Sequence, residues 1–180
     1  MTTVLAASLA AVLASLVEYW GHRIMHTTPF LRRHHARHHQ LASGQGWLRE
    51  LRDYALPAIP VCALVGWIWP AGAVGFAVGA LGWAGLAAFA HQAQHENPGL
   101  VWWMEEPVHA RHHHFREWHH DFGITLDVWD RVFGTRGVKG PLPTLGDPTL
   151  PAHRIAWLRR SDPLRRHRER GGPDGGDRVW

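Results

Sequence analysis

Histidine is the residue type that gives this sequence its chemical character. It accounts for 16 of the 180 residues, whereas cysteine occurs only as Cys62, inside an apolar stretch. One thiol is too few for an intrachain disulfide, a cysteine-rich zinc site or an iron–sulfur cluster held by four thiolates. The chemistry is therefore expected to come from imidazole, which ligates Zn, Cu, Fe and Ni.

Ten of the histidines fall into four clusters along the chain. The clusters are His22 and His26; His35, His38 and His39; His91 and His95; and His109, His112 and His113. Histidines three or four residues apart share one face of a helix, so a pair can ligate one metal ion. In each His-x-x-His-His triplet the adjacent rings diverge by about 100° and can reach different metals. The pattern predicts a two-metal centre with these ten histidines as ligands.

Carboxylates and further histidines are expected beside the ligands. Two cations held by neutral imidazoles carry a high positive charge, which nearby carboxylates offset while they fix the imidazole tautomers. Glu18, one helical turn before His22, is the first example. The candidates for this role are Glu18, Asp121, Asp127, His119 and His120. No catalytic residue beyond the metal ligands, and no binding motif for an organic cofactor, is evident in the sequence.

Three apolar stretches are predicted to position the clusters as membrane spans. They cover about residues 4–20, 54–69 and 71–90, and Pro70 and Gly72 separate the last two. The first stretch lacks a basic segment before it, which favours a span over a cleaved signal. Sixteen residues cover only about 24 Å of a roughly 30 Å apolar core, so the second span is expected to fall short or to thin the bilayer. The glycines of the third span predict close helix contact, and they are Gly75, Gly79, Gly82 and Gly85.

This order of spans places all four clusters on one side of the membrane. The segment 22–53, which includes a predicted loop over 27–53, and the segment 91–140 share that side, which also carries essentially all the Lys and Arg residues. The positive-inside rule makes it the cytoplasmic side, with the C-terminus there and the N-terminus outside. The net charge of +4 is thereby explained without a nucleic-acid partner.

The predicted fold class is all-α, an integral-membrane helical bundle of about three to four spans with a cytosolic His-rich cap. Residues 1–140 are expected to form the membrane domain. Residues 141–180 are rich in Pro, Gly and Arg, which indicates a basic, flexible C-terminal tail with a short helix near 152–160.

Three motifs resemble those of a known family. The segment EYWGHRIMHTTPFLRRHHARHH, residues 18–39, is similar to an opening block of aromatic-Trp-x-His-Arg-x-x-His followed by His-x-x-His-His. Pro107 and the triplet after it resemble the closing block, and DFGITLDVWDRVFGT, residues 121–135, resembles the final motif. The combination is similar to the fatty acid hydroxylase/sterol desaturase superfamily of membrane di-iron oxygenases. Asp121 stands where that family usually has Asn.

The resemblance implies a cytosolic site for two Fe ions, with the ten clustered histidines at the ligand positions and O2 as cosubstrate. Zinc could occupy such a site in purified samples. The implied reaction is hydroxylation of a C–H bond in a lipid or fatty-acyl-type substrate. Electrons would come from a separate ferredoxin or cytochrome/reductase partner, and a homodimer could complete the substrate pocket of so short a chain.

Two alternatives stay open from the sequence. One is a carotenoid or isoprenoid hydroxylase, or a desaturase at the same site. The other is a non-catalytic, His-rich metal-binding membrane protein. Oxygen consumption that depends on iron and an electron donor separates the enzymes from the metal-binding protein.

Overall fold

The computed structural model describes residues 1–41, 43–116 and 118–137. Within these ranges the chain forms helices and connecting segments and contains no β-strand, which confirms the all-helical prediction. The predicted C-terminal tail, 141–180, and its short helix near 152–160 lie outside the described residues.

Six α-helices follow one another within the described part of the chain. They are α1 (Thr2–Thr27), α2 (Pro29–Leu41), α3 (Trp47–Ile68), α4 (Ala73–Glu96), α5 (Val108–His114) and α6 (Val128–Val132). Single 3-10 turns at Pro70–Gly72 and Pro98–Leu100 follow α3 and α4. The first of these turns stands where the sequence predicts the break between the second and third spans.

Three of these helices, α1, α3 and α4, are long and apolar enough to cross a membrane. Their outward sides expose large apolar side chains, such as Val4 at 69% and Leu64 at 53%, as expected for helices that face lipid. The helix α3 begins at Trp47, ahead of the predicted second span 54–69, and has 22 residues, or about 33 Å. The polar residues 47–53, assigned to a loop from their composition, continue the helix. The chain is an integral membrane protein.

The helix α4 packs against both α1 and α3. It runs parallel to α1, with Gly75 against the carbonyl of Thr3 and Gly79 against the carbonyl of Ala7, so that a Cβ at either glycine would strike the α1 backbone. Close contact is thus confirmed for these two glycines. A Cβ at Gly82 or Gly85 would meet nothing, so the prediction is wrong for that pair.

The parallel course of α1 and α4 carries the histidines at their C-terminal ends to one face of the bundle. The helices α2 and α5 lie over that face. A small apolar core supports the cap, formed by Ala90, Ala93, Val101, Met104 and Val108. Two parts of the chain that are distant in sequence, the α1–α2 segment and the α4–α5 segment, are therefore brought together at one end of the membrane helices.

Candidate metal centre

Five histidines form a first set of converging ring nitrogens, here called site 1. Its members are His22, His26, His35, His39 and His112, each of which offers one nitrogen within 4.8 Å of all the others. The Nε2 atom of His112 lies 3.0 Å from those of both His26 and His39. Two nitrogens bound to one metal at about 2.0–2.1 Å, at angles near 90–110°, are separated by about 2.9–3.4 Å. The spacing in site 1 matches that of ligands sharing one ion.

Four further histidines form a second set, site 2. They are His38, His91, His95 and His109, again with one nitrogen each within 4.8 Å of the others. The Nε2 atom of His95 lies 3.2 Å from that of His38 and 3.1 Å from that of His109. The structure thus divides nine of the ten predicted ligands between two adjacent sites.

The tenth predicted ligand, His113, lies between the two sites. Its ring stacks on His39 of site 1, with centroids 4.1 Å apart, and lies 4.6 Å from the ring of His95 of site 2. Both of its ring nitrogens are buried and have no hydrogen-bond partner among the described residues. A buried imidazole in this state has both nitrogens unsatisfied, which fits a role beside a cation.

The two triplets distribute their rings in related ways. On α2, His35 and His39 face site 1, whereas His38 faces site 2. On α5, His112 faces site 1, whereas His109 belongs to site 2. Adjacent or near-adjacent rings on a helix point in different directions, so each short helix serves both sites.

Backbone carbonyls fix the tautomers of two histidines in site 1. Nδ1 of His22 lies 2.7 Å from the carbonyl oxygen of Phe122, and Nδ1 of His112 lies 2.7 Å from that of His120. A carbonyl oxygen only accepts, so each Nδ1 must donate and each Nε2 keeps a bare lone pair. Both lone pairs point at Nε2 of His26, which has at most one proton to donate. A cation satisfies this arrangement, and a hydrogen-bond network among the rings does not.

The histidines outside the spans are held neutral by burial. Burial, with the neighbouring imidazoles adding to it, lowers the pKa of His39 to about 4. The same causes hold the pKa values of the others well below the ordinary 6.5, namely those of His35, His38, His109, His112 and His113. Neutral imidazole is the form that ligates a metal, so these residues are ready to bind at neutral pH.

A buried carboxylate contacts site 2. Oε2 of Glu50, at the start of α3, lies 3.0 Å from Nδ1 of His91, and Oε1 accepts the backbone N–H of Gln45. A carboxylate at Nδ1 directs Nε2 outward as the ligating atom. Sequence reasoning missed Glu50 because it lies in a segment assigned to a loop. The signal that could have found it is an acidic residue among arginines immediately before an apolar helix.

Glu18 does not contact a ligand but holds the segment that follows Phe122. Its two oxygens accept hydrogen bonds from the N–H groups of Ile124 and Thr125, the hydroxyl of Thr125 and the indole of Trp83. Asp130, which the sequence analysis did not select, accepts the N–H groups of Phe122 and Gly123 on the other side. These two carboxylates together fix the backbone whose carbonyl orients His22.

The pKa of Asp130 rises to about 6 because burial disfavours the charged form, although its hydrogen bonds to Thr135, Gly123 and Phe122 act in the opposite direction. Thr135 in turn lies 2.8 Å from the hydroxyl of Tyr19 on α1. The motif at residues 121–135 is thereby joined to the first span, α1.

The other predicted partners are Asp121, Asp127, His119 and His120. Asp121 is fully buried and accepts hydrogen bonds from Arg111 and Arg136. Asp127 pairs with Arg131 on the surface. The contact of His120 with a ligand is made by its backbone carbonyl, and the ring of His119 is exposed.

A cavity of about 1110 Å³ opens onto both sites. Five of the predicted ligands line it, namely His22, His35, His38, His91 and His109. Below them its walls are mostly apolar side chains of the three long helices, among them Ala10, Leu13, Ala14, Val17, Val61, Phe76 and Ala80. The two histidine sites thus face a chamber that extends into the membrane bundle.

Comparison of the chain with curated proteins and with solved structures gives no match. A family model, described as fatty acid hydroxylase, matches residues 7–135. The matched region includes all ten clustered histidines, both carboxylates that hold the Phe122 segment, and Glu50. The chain belongs to the fatty acid hydroxylase family.

Proposed function

We propose that this protein is a membrane-bound, non-haem di-iron hydroxylase that inserts one oxygen atom of O2 into a C–H bond of a fatty-acyl-type lipid. The observation that carries the proposal is the position of two histidine sites on the wall of one largely apolar cavity. A metal-binding protein without turnover has no need of such a chamber beside its ligands.

Site 1 and site 2 would each hold one iron ion, with His113 between them as the tenth ligand. When bound, the two ions supply the reduction and cleavage of O2 that an unactivated C–H bond requires. The overall reaction takes the C–H substrate, O2, two electrons and two protons, and it gives the alcohol and one water molecule. Zinc could replace iron in purified protein, since ligands that are all imidazole accept either metal.

The protein's own contribution is to bind and orient the chain. The cavity extends along α1 from His22 to Ala10, twelve residues or about 18 Å of helix. An acyl chain lying there is shielded from water by apolar side chains and passes the ligand-bearing wall. Such confinement holds one segment of the chain at the reacting position, and positioning is one way in which a protein accelerates a reaction at a cofactor.

We further propose that both sites face the cytoplasm. The histidines lie at the C-terminal ends of α1 and α4, on the side where the Arg residues of the α2 segment lie, and positive residues favour the cytoplasmic side. The electrons would then come from a separate ferredoxin or cytochrome/reductase partner in that compartment.

The test is lipid mass spectrometry on cells expressing the protein under ¹⁸O2. The intact protein should yield a lipid that gains one labelled oxygen, and the His109→Ala/His112→Ala variant should not. His114→Ala is the matched control because His114 is exposed on the same helix, α5. A lipid that loses two hydrogens instead would indicate a desaturase. Purified protein that binds metal but consumes no O2 with an electron donor would indicate a metal-binding protein without turnover.

A further inference from the structure

The cavity changes character at its cap end. There its wall is formed by residues of α2, of the 43–46 connection and of the first turns of α3, and it is charged rather than apolar. The charged side chains at this end are Arg37, Arg49, Glu50, Arg52 and Asp53. A molecule that fills the chamber therefore meets an apolar wall at one end and a charged wall at the other.

The acidic side chains at this end already have donors. Glu50 contacts His91 and the backbone N–H of Gln45. Asp53 accepts hydrogen bonds from Arg52 and from the side chain of Gln45. Asp53 is thus paired with a cation, whereas Glu50 keeps its negative charge, so this end of the cavity holds three arginines and two carboxylates.

The remaining cations of the cavity are Arg37 on α2 and Arg49 on α3. Neither guanidinium group has an ion-pair or hydrogen-bond partner among the described residues. Two guanidinium groups from different helices thus line the same end of one cavity. Guanidinium binds carboxylate and phosphate oxygens through paired N–H donors, which makes it selective for anionic groups.

We propose that Arg37 and Arg49 bind the anionic head group of the substrate, a carboxylate or a phosphate, while its acyl chain lies along the apolar wall. This inference rests on the proposed function, because it specifies the substrate of the same cavity. Amphiphiles with a neutral head group, such as alcohols and sterols, would lack this interaction and bind more weakly.

The test is equilibrium binding to the full-length, metal-loaded protein in phosphatidylcholine nanodiscs, with empty nanodiscs subtracted. The probes are hexadecanoic acid, hexadecyl phosphate and hexadecanol, which share one chain length and differ in head group. A charge-assisted hydrogen bond predicts that an anionic probe binds roughly tenfold more tightly than the alcohol. Preference for one anionic probe over the other distinguishes a carboxylate from a phosphate head group.

The Arg37→Gln/Arg49→Gln variant should lose this preference and keep its affinity for hexadecanol, which also reports an intact cavity. Arg32→Gln/Arg33→Gln removes the same charge from exposed positions of α2 that do not line the cavity, and it should keep the preference. Equal effects of the two double variants would show that general surface charge attracts the anions and would overturn the proposal. So would the lack of any preference for an anionic probe in the unmodified protein.

Binding and turnover are measured separately, so the two proposals can fail independently. Selective binding of hexadecanoic acid without oxidation of any lipid would leave the head-group site standing and contradict the hydroxylase. Oxidation of lipids without any head-group preference in binding would support the hydroxylase and contradict the head-group site.

Discussion

The carboxylate of Glu50 lies 3.0 Å from Nδ1 of His91, and both side chains are buried, at 3% and 8% exposure. Glu50 lies at the start of α3 and His91 near the end of α4, so this contact joins α3 to α4 beside site 2. In site 1 the corresponding nitrogens of His22 and His112 donate to backbone carbonyls instead. Site 2 therefore has a carboxylate beside one of its histidines, whereas the corresponding groups in site 1 are uncharged carbonyls.

Replacing Glu50 is expected to weaken metal binding at site 2 selectively. Loss of a carboxylate that orients a ligand lowers metal affinity by roughly 10–100-fold. The Glu50→Gln variant should therefore release one metal ion per chain to a chelator at much lower concentration, while the other stays bound as in the unmodified protein. Asp53→Asn, an exposed change on the same helix, is the control. Equal weakening of both ions would contradict a role specific to site 2.

Single ligand substitutions are expected to separate the two sites. His112→Ala removes a ring that contacts two other ligands of site 1, whereas His109→Ala removes a ligand of site 2. Each variant should retain about one metal ion per chain where the unmodified protein holds two, as measured by elemental analysis of purified protein. His114→Ala should retain both. Complete metal loss in either single variant would mean that the sites do not bind independently.

Glu18→Ala is expected to destabilise the cap strongly. Four donors lose their acceptor, and a buried donor left unsatisfied costs roughly 1–3 kcal/mol. The midpoint of unfolding in a detergent titration should fall clearly below that of the exposed control variant, Glu105→Gln. Glu18→Gln keeps one accepting oxygen and should lie between the two. An unchanged midpoint for Glu18→Ala would show that the Phe122 segment is held by other contacts.

The metal-free protein is expected to lose stability as the pH falls below about 6.5. Unfolding returns the buried histidines to their ordinary pKa near 6.5, whereas in the fold the pKa of His39 is about 4 and that of His113 is also lowered. Between these values the unfolded chain binds more protons, so stability is fully present above pH 6.5 and declines below it. Each such histidine contributes a slope of about 1.4 kcal/mol per pH unit.

This slope is measured by unfolding the chelator-treated protein at pH 7.5 and pH 5.5. Replacing a buried group by an apolar one, as in His113→Leu, should reduce the difference between the two pH values. His114→Ala should leave it unchanged because that ring is exposed. The same stability at both pH values would be inconsistent with neutral, buried imidazoles.

Narrowing the cavity is expected to change the preferred chain length. Ala14 lines the cavity on α1, between His22 and Ala10. Ala14→Phe should lower the oxidation of hexadecanoyl lipids relative to decanoyl lipids by roughly tenfold, the size expected of an overpacked site. Product analysis by mass spectrometry gives the ratio. Val12→Phe, at a position exposed on the lipid side of the same helix, should leave the ratio unchanged.

The sequence by itself determined the local features of this protein. The spacing of the histidines follows helix geometry, so pairs such as His22 and His26 were recognisable without a structure. The apolar stretches predicted three spans and the placement of all clusters at one end. The limits of α3 were less predictable, because the polar residues 47–53 resemble a loop in composition but continue a helix.

Only the tertiary structure decided which histidines share a site and what holds them. His26 and His112 are 86 residues apart in sequence, and Glu18 and Thr125 are 107 apart. Helical periodicity fixes the face on which a side chain lies but carries no information about which distant segment packs against that face. The contacts of Glu50 and Asp130 depend on such packing, so the buried carboxylates that support the two sites emerged only from the fold.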